Sequence, residues 1–409
     1  MGVGVFVNFW VAIRVSDRQP SVSTRAESTQ SVMSMTFAVS GYDESSLIRD
    51  RSFGVSVWND STTLPTWMKE YFDWHRTQRQ LHLNETNYGQ FTFLVVRCLK
   101  HDLKCGGTAD RLKPLPFYVL LASRMHRILL FHWERPFLLQ EFLVPPVGGV
   151  DWRLPTSWRR DQFSDTIEIK NLKDITPYLA KPHSGRYRKP LPAIACILYQ
   201  SHDHGALQYN QLALQQTKEA TYEEVFRDCW NSFFVPSPPV QSRIDQLRQS
   251  LGLVPNEYVG AHVRSQYHSY NGNKKLKVLV QNAVACASRL RTEVRQSIYL
   301  TADSERALQV VGESSVGMRN LPVVRRKGDR PPLHLDRGVA YLAKSATNWT
   351  YHDDPRAYYD IFVDLYLLAG SRCIAYNVGN YGKWAILLSS NRSCTINHGK
   401  TTCRWKILS

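Results

Sequence analysis

Tyr258-Val259-Gly260-Ala261-His262-Val263-Arg264 predicts a short buried strand that delivers His262 and Arg264 to its C-terminal end. In an open α/β sheet ligands bind at that end, because helix N-termini and loop backbones converge there. An arginine adds a permanent positive charge and a planar fork of donors, which suits a phosphate or diphosphate. A strand-end arginine can equally pair with a surface carboxylate, and two later segments tip the balance.

Working outward, the second half of the chain alternates strands with helices. Strand 259–263 precedes a helix over 276–290, a strand over 297–301 and a helix over 305–311. Then come a strand over 321–325, a helix over 355–368, a strand over 373–376 and a helix over 381–388. Such alternation predicts an α/β fold with a parallel sheet wrapped on both faces. In the first half, strand 91–96 leads through Cys105-Gly106-Gly107-Thr108-Ala109-Asp110-Arg111 into an apolar helix over 112–124 and a strand over 127–132. That is a β-loop-α-β unit whose first loop is glycine-rich, so its backbone can approach a ligand. Residues 167–169 and 194–199 read as further strands, and Phe234-Val235-Pro236-Ser237-Pro238-Pro239 as a linker. The expected organisation is a leader or stem over 1–66, partly disordered, a domain over 67–235 and a second over 240–409. With two such halves, a site is expected in the cleft between them.

A chain of 409 residues suits two domains, and 43% hydrophobic content is ample for globular packing. Lys plus Arg at 51 against Asp plus Glu at 35 gives a net charge of +16, which favours anionic partners. Nucleic acid is not the expected partner, because no run of five basic residues and no aromatic-interleaved RNA-binding motif is present. None of the eight cysteines forms a CxxC pair. Cys98 with Cys105, and Cys394 with Cys403, are spaced to close small loops, natural in an oxidising compartment; all eight can also be reduced. Sequons at Asn59, Asn84, Asn348 and Asn391 lean the same way. Val3 to Ile13 is apolar but falls short of the ~20 residues of a bilayer span, and no basic segment precedes it. It reads as the tail of a signal-anchor or as a poor signal, so a membrane anchor stays open.

Two more segments of the second half carry polar residues at a strand end. In Tyr299-Leu300-Thr301-Ala302-Asp303-Ser304 the side chains can hydrogen-bond a nucleotide, although Asp303 and Ser304 can also cap the next helix. In Cys373-Ile374-Ala375-Tyr376-Asn377-Val378-Gly379-Asn380-Tyr381-Gly382 two glycines between strand and helix make either an anion-binding turn or an ordinary left-handed turn.

In this order GAHVR (260–264), YLTAD (299–303) and DLYLLAGSRCIAYNVGNYG (364–382) resemble the three peptide motifs of the fucosyltransferase superfamily. CGGTADRL (105–112) looks like its first-domain loop. The resemblance spans roughly residues 91–390. It implies two Rossmann-like domains facing a cleft, the GT-B arrangement, and inverting transfer of fucose from GDP-fucose to a glycan or protein acceptor, with no metal required. By the same resemblance Arg264 would bind the β-phosphate and stabilise charge on the departing GDP. His262 would contact the nucleotide, Asp303 and Ser304 the guanosine part, and Asn377, Gly379, Tyr381 and Gly382 the phosphates. Gly106 and Gly107 would let the first-domain backbone close over donor or acceptor. The implied compartment is the Golgi or endoplasmic reticulum lumen, or the cytoplasm if the N-terminal apolar segment is no signal.

The sequence also departs from that pattern. Ser265-Gln266 follows Arg264 where many relatives carry an acidic residue, and Gly379, Asn380 and Tyr381 stand in place of the usual serines. An inverting transfer benefits from a base at the acceptor hydroxyl; Asp110 and Glu134 are level candidates, each equally placed to form a structural ion pair. His202-Asp203-His204 lacks a third metal ligand and reads as a polar loop. The alternatives to a fucosyl transferase are a catalytically silent glycan or nucleotide binder on the same scaffold and a transferase using another nucleotide sugar.

Overall fold

Two parallel sheets carry the architecture of the computed structural model. It describes residues 55–82, 90–99, 105–155, 158, 166–169, 172–179, 194–199, 204–214, 220–265, 272–313, 321–326, 354–399 and 401–405. The N-terminal apolar segment, His202-Asp203 and the sequons at Asn84 and Asn348 lie outside these residues.

The first half contains α1 (Thr66–Thr77), β1 (Phe93–Cys98), α2 (Thr108–Leu112), α3 (Leu115–Met125), β2 (Ile128–Trp133) and β3 (Leu143–Val144). It continues through β4 (Thr166–Ile169), α4 (Leu172–Leu179), β5 (Ile194–Tyr199), α5 (His204–Leu214) and α6 (Tyr222–Phe233). The crossing to the second half is β6 (Val235–Pro236) and α7 (Pro238–Leu251). There follow β7 (Val259–Val263), α8 (Gly272–Ser288), β8 (Ile298–Ala302), α9 (Glu305–Glu313), β9 (Val323–Arg325) and α10 (Tyr359–Ala369). The last elements are β10 (Cys373–Tyr376), α11 (Asn380–Leu388), β11 (Thr395–His398) and β12 (Cys403–Trp405).

Pro114 divides the helix expected over 112–124 into α2 and α3, because proline supplies no N–H to continue the ladder. The segment expected as a linker is instead packed. Phe234 is buried, Val235 and Pro236 pair antiparallel with Val144 and Leu143, and Pro238 opens α7. Packing also begins ahead of Trp67: Trp58 is fully buried and its indole N–H donates to Asp73 at 3.1 Å.

The first sheet has the order β2-β1-β5-β4, all parallel. The second has the order β12-β11-β10-β7-β8-β9, with only β12 antiparallel. Strands leave β7 through β8 to β9 on one side and return through β10 to β11 on the other. The order therefore reverses between β7 and β10, at the point where doubly wound sheets bind ligands.

Side chains alternate along β7. Val259, Ala261 and Val263 join Leu279, Val280 and Ala283 of α8 in one core. Tyr258 and Tyr299 face the other way, into a core shared with α10 and α11, and His262 has the same parity. This second core continues without a break into α3, α6 and α1 of the first half. Phe142 stacks on Phe362 at 5.0 Å, and Trp230 meets Trp384 at 5.3 Å.

Three disulfides form among the described residues. Cys98–Cys105 is as the spacing suggested, but Cys394 does not pair with Cys403. Cys373 and Cys394 bond instead, because β10 and β11 run parallel in a register that sets Ile374 beside Thr395. Cys403 lies opposite His398, about 13 Å along the strand from Cys394 at the ordinary strand rise. It bonds to Cys286 of α8.

Candidate functional site

The three polar strand ends of the second half converge where the strand order reverses. Arg264 follows β7 and Asn377 follows β10, and their side chain and backbone clasp one another. The Arg264 N–H donates to Asn377 Oδ1 at 2.8 Å, and Asn377 Nδ2 donates to the Arg264 carbonyl at 3.1 Å. This pair fixes the direction in which Arg264 leaves the sheet. Gly379 comes next, with φ at +99°, a conformation L side chains rarely adopt. A Cβ there would lie 3.6 Å from Arg264 Cγ, so the turn lies against the arginine stem.

Asp303, beyond β8, holds Arg264 from the other side, with Oδ2 at 3.1 Å from Nη1. Its Oδ1 accepts from both the N–H and the hydroxyl of Ser265, each at 2.6 Å. Ser265 thus connects the turn after β7 to Asp303, and its hydroxyl also lies 2.7 Å from that of Ser304. The Ser304 hydroxyl accepts from the Ala307 N–H at 3.3 Å, a capping bond at the start of α9. In this geometry Asp303 and Ser304 position the arginine and the helix.

His262 is buried and has its ring 5.1 Å from that of Tyr381. Burial first, then the neighbouring charges of Arg264 and His398, lowers its pKa to about 3. The imidazole is therefore neutral at physiological pH. Its Nδ1 has no hydrogen-bond partner among the described residues. A Cβ at Gly382 would stand 3.2 Å from that nitrogen and 2.9 Å from Tyr376 Cβ, so only glycine lets α11 pass this close. The Tyr381 hydroxyl donates to the Ile361 carbonyl.

Beneath His262 and Tyr381 lies a polar cluster that the motifs quoted above only partly announce. Asp364, buried in α10, accepts from the hydroxyls of Tyr299 and Thr301 at 2.7 Å each. Burial raises its pKa, against the pull of Arg326. Arg326 follows β9, donates to Asp360 at 2.6 Å and lies 3.6 Å from Asp364. An aspartate inside the apolar run Ile361-Phe362-Val363-Asp364-Leu365 is the signal that could have revealed this cluster, since a buried carboxylate needs partners.

In the first half the glycine loop follows β1, itself next to the strand-order reversal of its own sheet. Gly106 has φ at +72°, and a Cβ there would come 2.9 Å from Asp110 Cβ. Arg111 staples this loop to the end of β2: Nε donates to the Gly106 carbonyl at 2.9 Å and Nη1 to the Arg135 carbonyl at 2.6 Å. Its guanidinium lies 4.5 Å from the centre of the Trp133 ring. Beside these residues a cavity of about 20 Å³, lined by Arg97, Cys98, Cys105, Arg111 and Trp133 among others, has room for one water and not for a nucleotide. Asp110 Oδ2 accepts from the Gly107 N–H at 2.9 Å. Glu134, beyond β2, has Oε1 at 3.2 Å from His132 Nε2.

The two glycine turns meet. Asn380, the first residue of α11, donates from Nδ2 to Asp110 Oδ1 at 2.9 Å. Its Oδ1 accepts from Lys113 Nζ at 3.1 Å. The structure thus brings Gly106, Gly107 and Asp110 to the same place as Arg264, Asn377 and Gly379. Asn380 lies within the turn 377–382 expected at the phosphates, whereas Lys113 was not among the expected site residues and carries no sequence signal. Among the described residues no group of three or more His, Cys, Asp or Glu side chains is arranged to hold a metal ion.

No family model matches the sequence, and no curated protein matches it. Solved structures do resemble the fold. A point mutant of Arabidopsis thaliana FUT1 in complex with GDP superposes with a TM-score of 0.55 at 11% identity, covering 89% of this chain and 88% of that one. The fold is that of the fucosyltransferases. Two others align less well: NodZ alpha-1,6-fucosyltransferase, known from Bradyrhizobium and soaked with GDP-fucose, has a TM-score of 0.40 at 16% identity over 75% of this chain and 94% of its own. POFUT1 in complex with GDP-fucose has a TM-score of 0.36 at 9% identity over 76% and 98%. Within this fucosyltransferase fold the converging turns occupy the reversal point of the second sheet.

Proposed function

We propose that the chain is an inverting glycosyltransferase that takes fucose from GDP-fucose and places it on a glycan or protein hydroxyl. The observation that carries this reading is the clasp between Arg264 and Asn377 at the reversal point, with the Gly379 turn laid along the arginine. On this reading residues 67–235 and 240–409 act as two domains, with the donor diphosphate between Arg264 and the Gly379–Gly382 turn. The acceptor oxygen attacks the sugar's anomeric carbon, the bond from that carbon to the β-phosphate oxygen breaks, and GDP departs with the electron pair. Arg264 offers fixed positive charge to the oxygen that becomes anionic, and such preorganised charge is usually the largest catalytic contribution. The acceptor proton passes to a carboxylate. Asp110 is held on both oxygens by bonds that position the glycine turns, and we assign the task to Glu134, which lies 3.2 Å from His132 Nε2. Three disulfides support work in an oxidising compartment such as the secretory lumen.

A thermal-shift panel of GDP, UDP, ADP and their sugars, followed by a donor-consumption assay, tests the reading. Stabilisation by GDP and GDP-fucose with consumption of the latter is the expected result. Stabilisation by GDP without any consumption of GDP-fucose, with or without acceptor, would make the chain a silent binder. No response to any guanine nucleotide would end the proposal.

A further inference from the structure

We infer that Asn380 is a latch that joins the two glycine turns, and that Asp110 is a positioning residue and not the catalytic base. The inference rests on the donor-binding reading above for its functional consequence, but the latch itself rests on geometry. A continuous chain of bonds runs from the Gly107 N–H to Asp110 Oδ2, from Asp110 Oδ1 to Asn380 Nδ2, and from Asn380 Oδ1 to Lys113 Nζ. Asn380 is suited to this place because its amide donates to a carboxylate on one side and accepts from an ammonium on the other. A serine could not span both partners with the same polarity, and an aspartate would set two carboxylates face to face. Both partners of Asn380, the Asp110 carboxylate and the Lys113 ammonium, are charged, so each of its bonds belongs to the stronger class.

The consequence is positional. Gly107 caps α2, Gly379 precedes α11, and Asn380 fixes the spacing between them. Arg264 lies along the second turn, so the latch also sets how the first-half loop faces Arg264. Because one apolar core underlies both halves, loss of the latch would free the loop over 105–112 without parting the halves.

Exchange of the two partners tests this. Asn380→Asp should weaken GDP binding about tenfold, equivalent to about 1.4 kcal/mol, and raise deuterium uptake over 105–112 in the free protein. Asn380→Ala, which adds no charge, should do the same to a smaller degree. The swap Asp110→Asn with Asn380→Asp restores a donor facing an acceptor, keeps an acceptor for the Gly107 N–H and strengthens the bond from Lys113. It should return both uptake and GDP affinity to within about threefold of the original chain, and turnover should survive because Asp110 is not the base. Unchanged uptake in Asn380→Asp, or no recovery in the swap, would overturn the latch. Recovery of binding with turnover still abolished would restore Asp110 as the base and overturn the second half of the inference. If the original chain binds no GDP, the function reading fails while deuterium uptake still decides the latch.

Discussion

Removal of Arg264 should have two separable effects, one on stability and one on binding. At 3.1 Å and an effective dielectric of 20, its attraction to Asp303 is about 5 kcal/mol. Removing two largely buried charges from water cancels more than half of that, and Ser265 still donates twice to Asp303. We therefore expect Arg264→Ala to cost about 2 kcal/mol. For a unit of roughly 350 residues that is a fall of about 3 °C in thermal midpoint, from about 2.1 cal/mol/K of unfolding entropy per residue. Adding Asp303→Asn removes the orphaned charge and should return about half of the loss. Neither variant should bind GDP well, since charge-assisted hydrogen bonds of about 1.5–3 kcal/mol disappear, a weakening of about 10- to 150-fold in calorimetric titration. A double variant that binds GDP like the original chain would refute the role given to Arg264. A single variant as stable as the original would refute the energetics of the pair.

Acid should destabilise the fold in a defined window. His262 and His75 titrate near 3 and 4 when folded, both chiefly because burial disfavours the charged form, and near 6.5 when unfolded. Their contribution is complete above pH 6.5 and is lost as pH falls, because the unfolded chain then binds more protons. At pH 5 each group has lost about 2 kcal/mol at 1.36 kcal/mol per pH unit, so the pair should lower the thermal midpoint by several degrees. A midpoint that is flat or rising between pH 7.5 and pH 5 would contradict this. Non-reducing peptide mapping should recover Cys373 with Cys394 and Cys286 with Cys403, and no peptide joining Cys394 to Cys403. The Cys373→Ser, Cys394→Ser pair should cost about 3 kcal/mol, the loop entropy for the separation of 21 residues.

The strands at 194–199, 259–263 and 373–376 were legible to the residue, since each is a short apolar or β-branched run bounded by turn residues. Helix α6 was not, although Thr221 and Glu224 form a capping box at its start, with the Thr221 N–H donating to Glu224 Oε2 at 2.7 Å. Helix α7 was hidden by Pro238-Pro239, which read as a linker yet sit in the first turn of a helix, where missing N–H groups cost nothing. Strands β11 and β12 carry polar residues without alternation, so only their pairing reveals them. The motif islands named most residues of the candidate site, but not its wiring. Asp303, expected at the guanosine or as a helix cap, gave no sign in the sequence of its ion pair with Arg264, and strand order, which no local pattern encodes, is what sets Arg264 beside Asn377.

The apolar interior joining α3 and α6 to α7, α10 and α11 has a consequence for how this chain can be dissected. A cut between residues 235 and 240 would leave Phe142 facing water where Phe362 had stacked, and Trp230 where Trp384 had stood. Neither half is a portable module. Expressed alone, each would present a broad greasy face and self-associate, so recombining halves from different relatives would demand matched aromatic seams as well as matched loops.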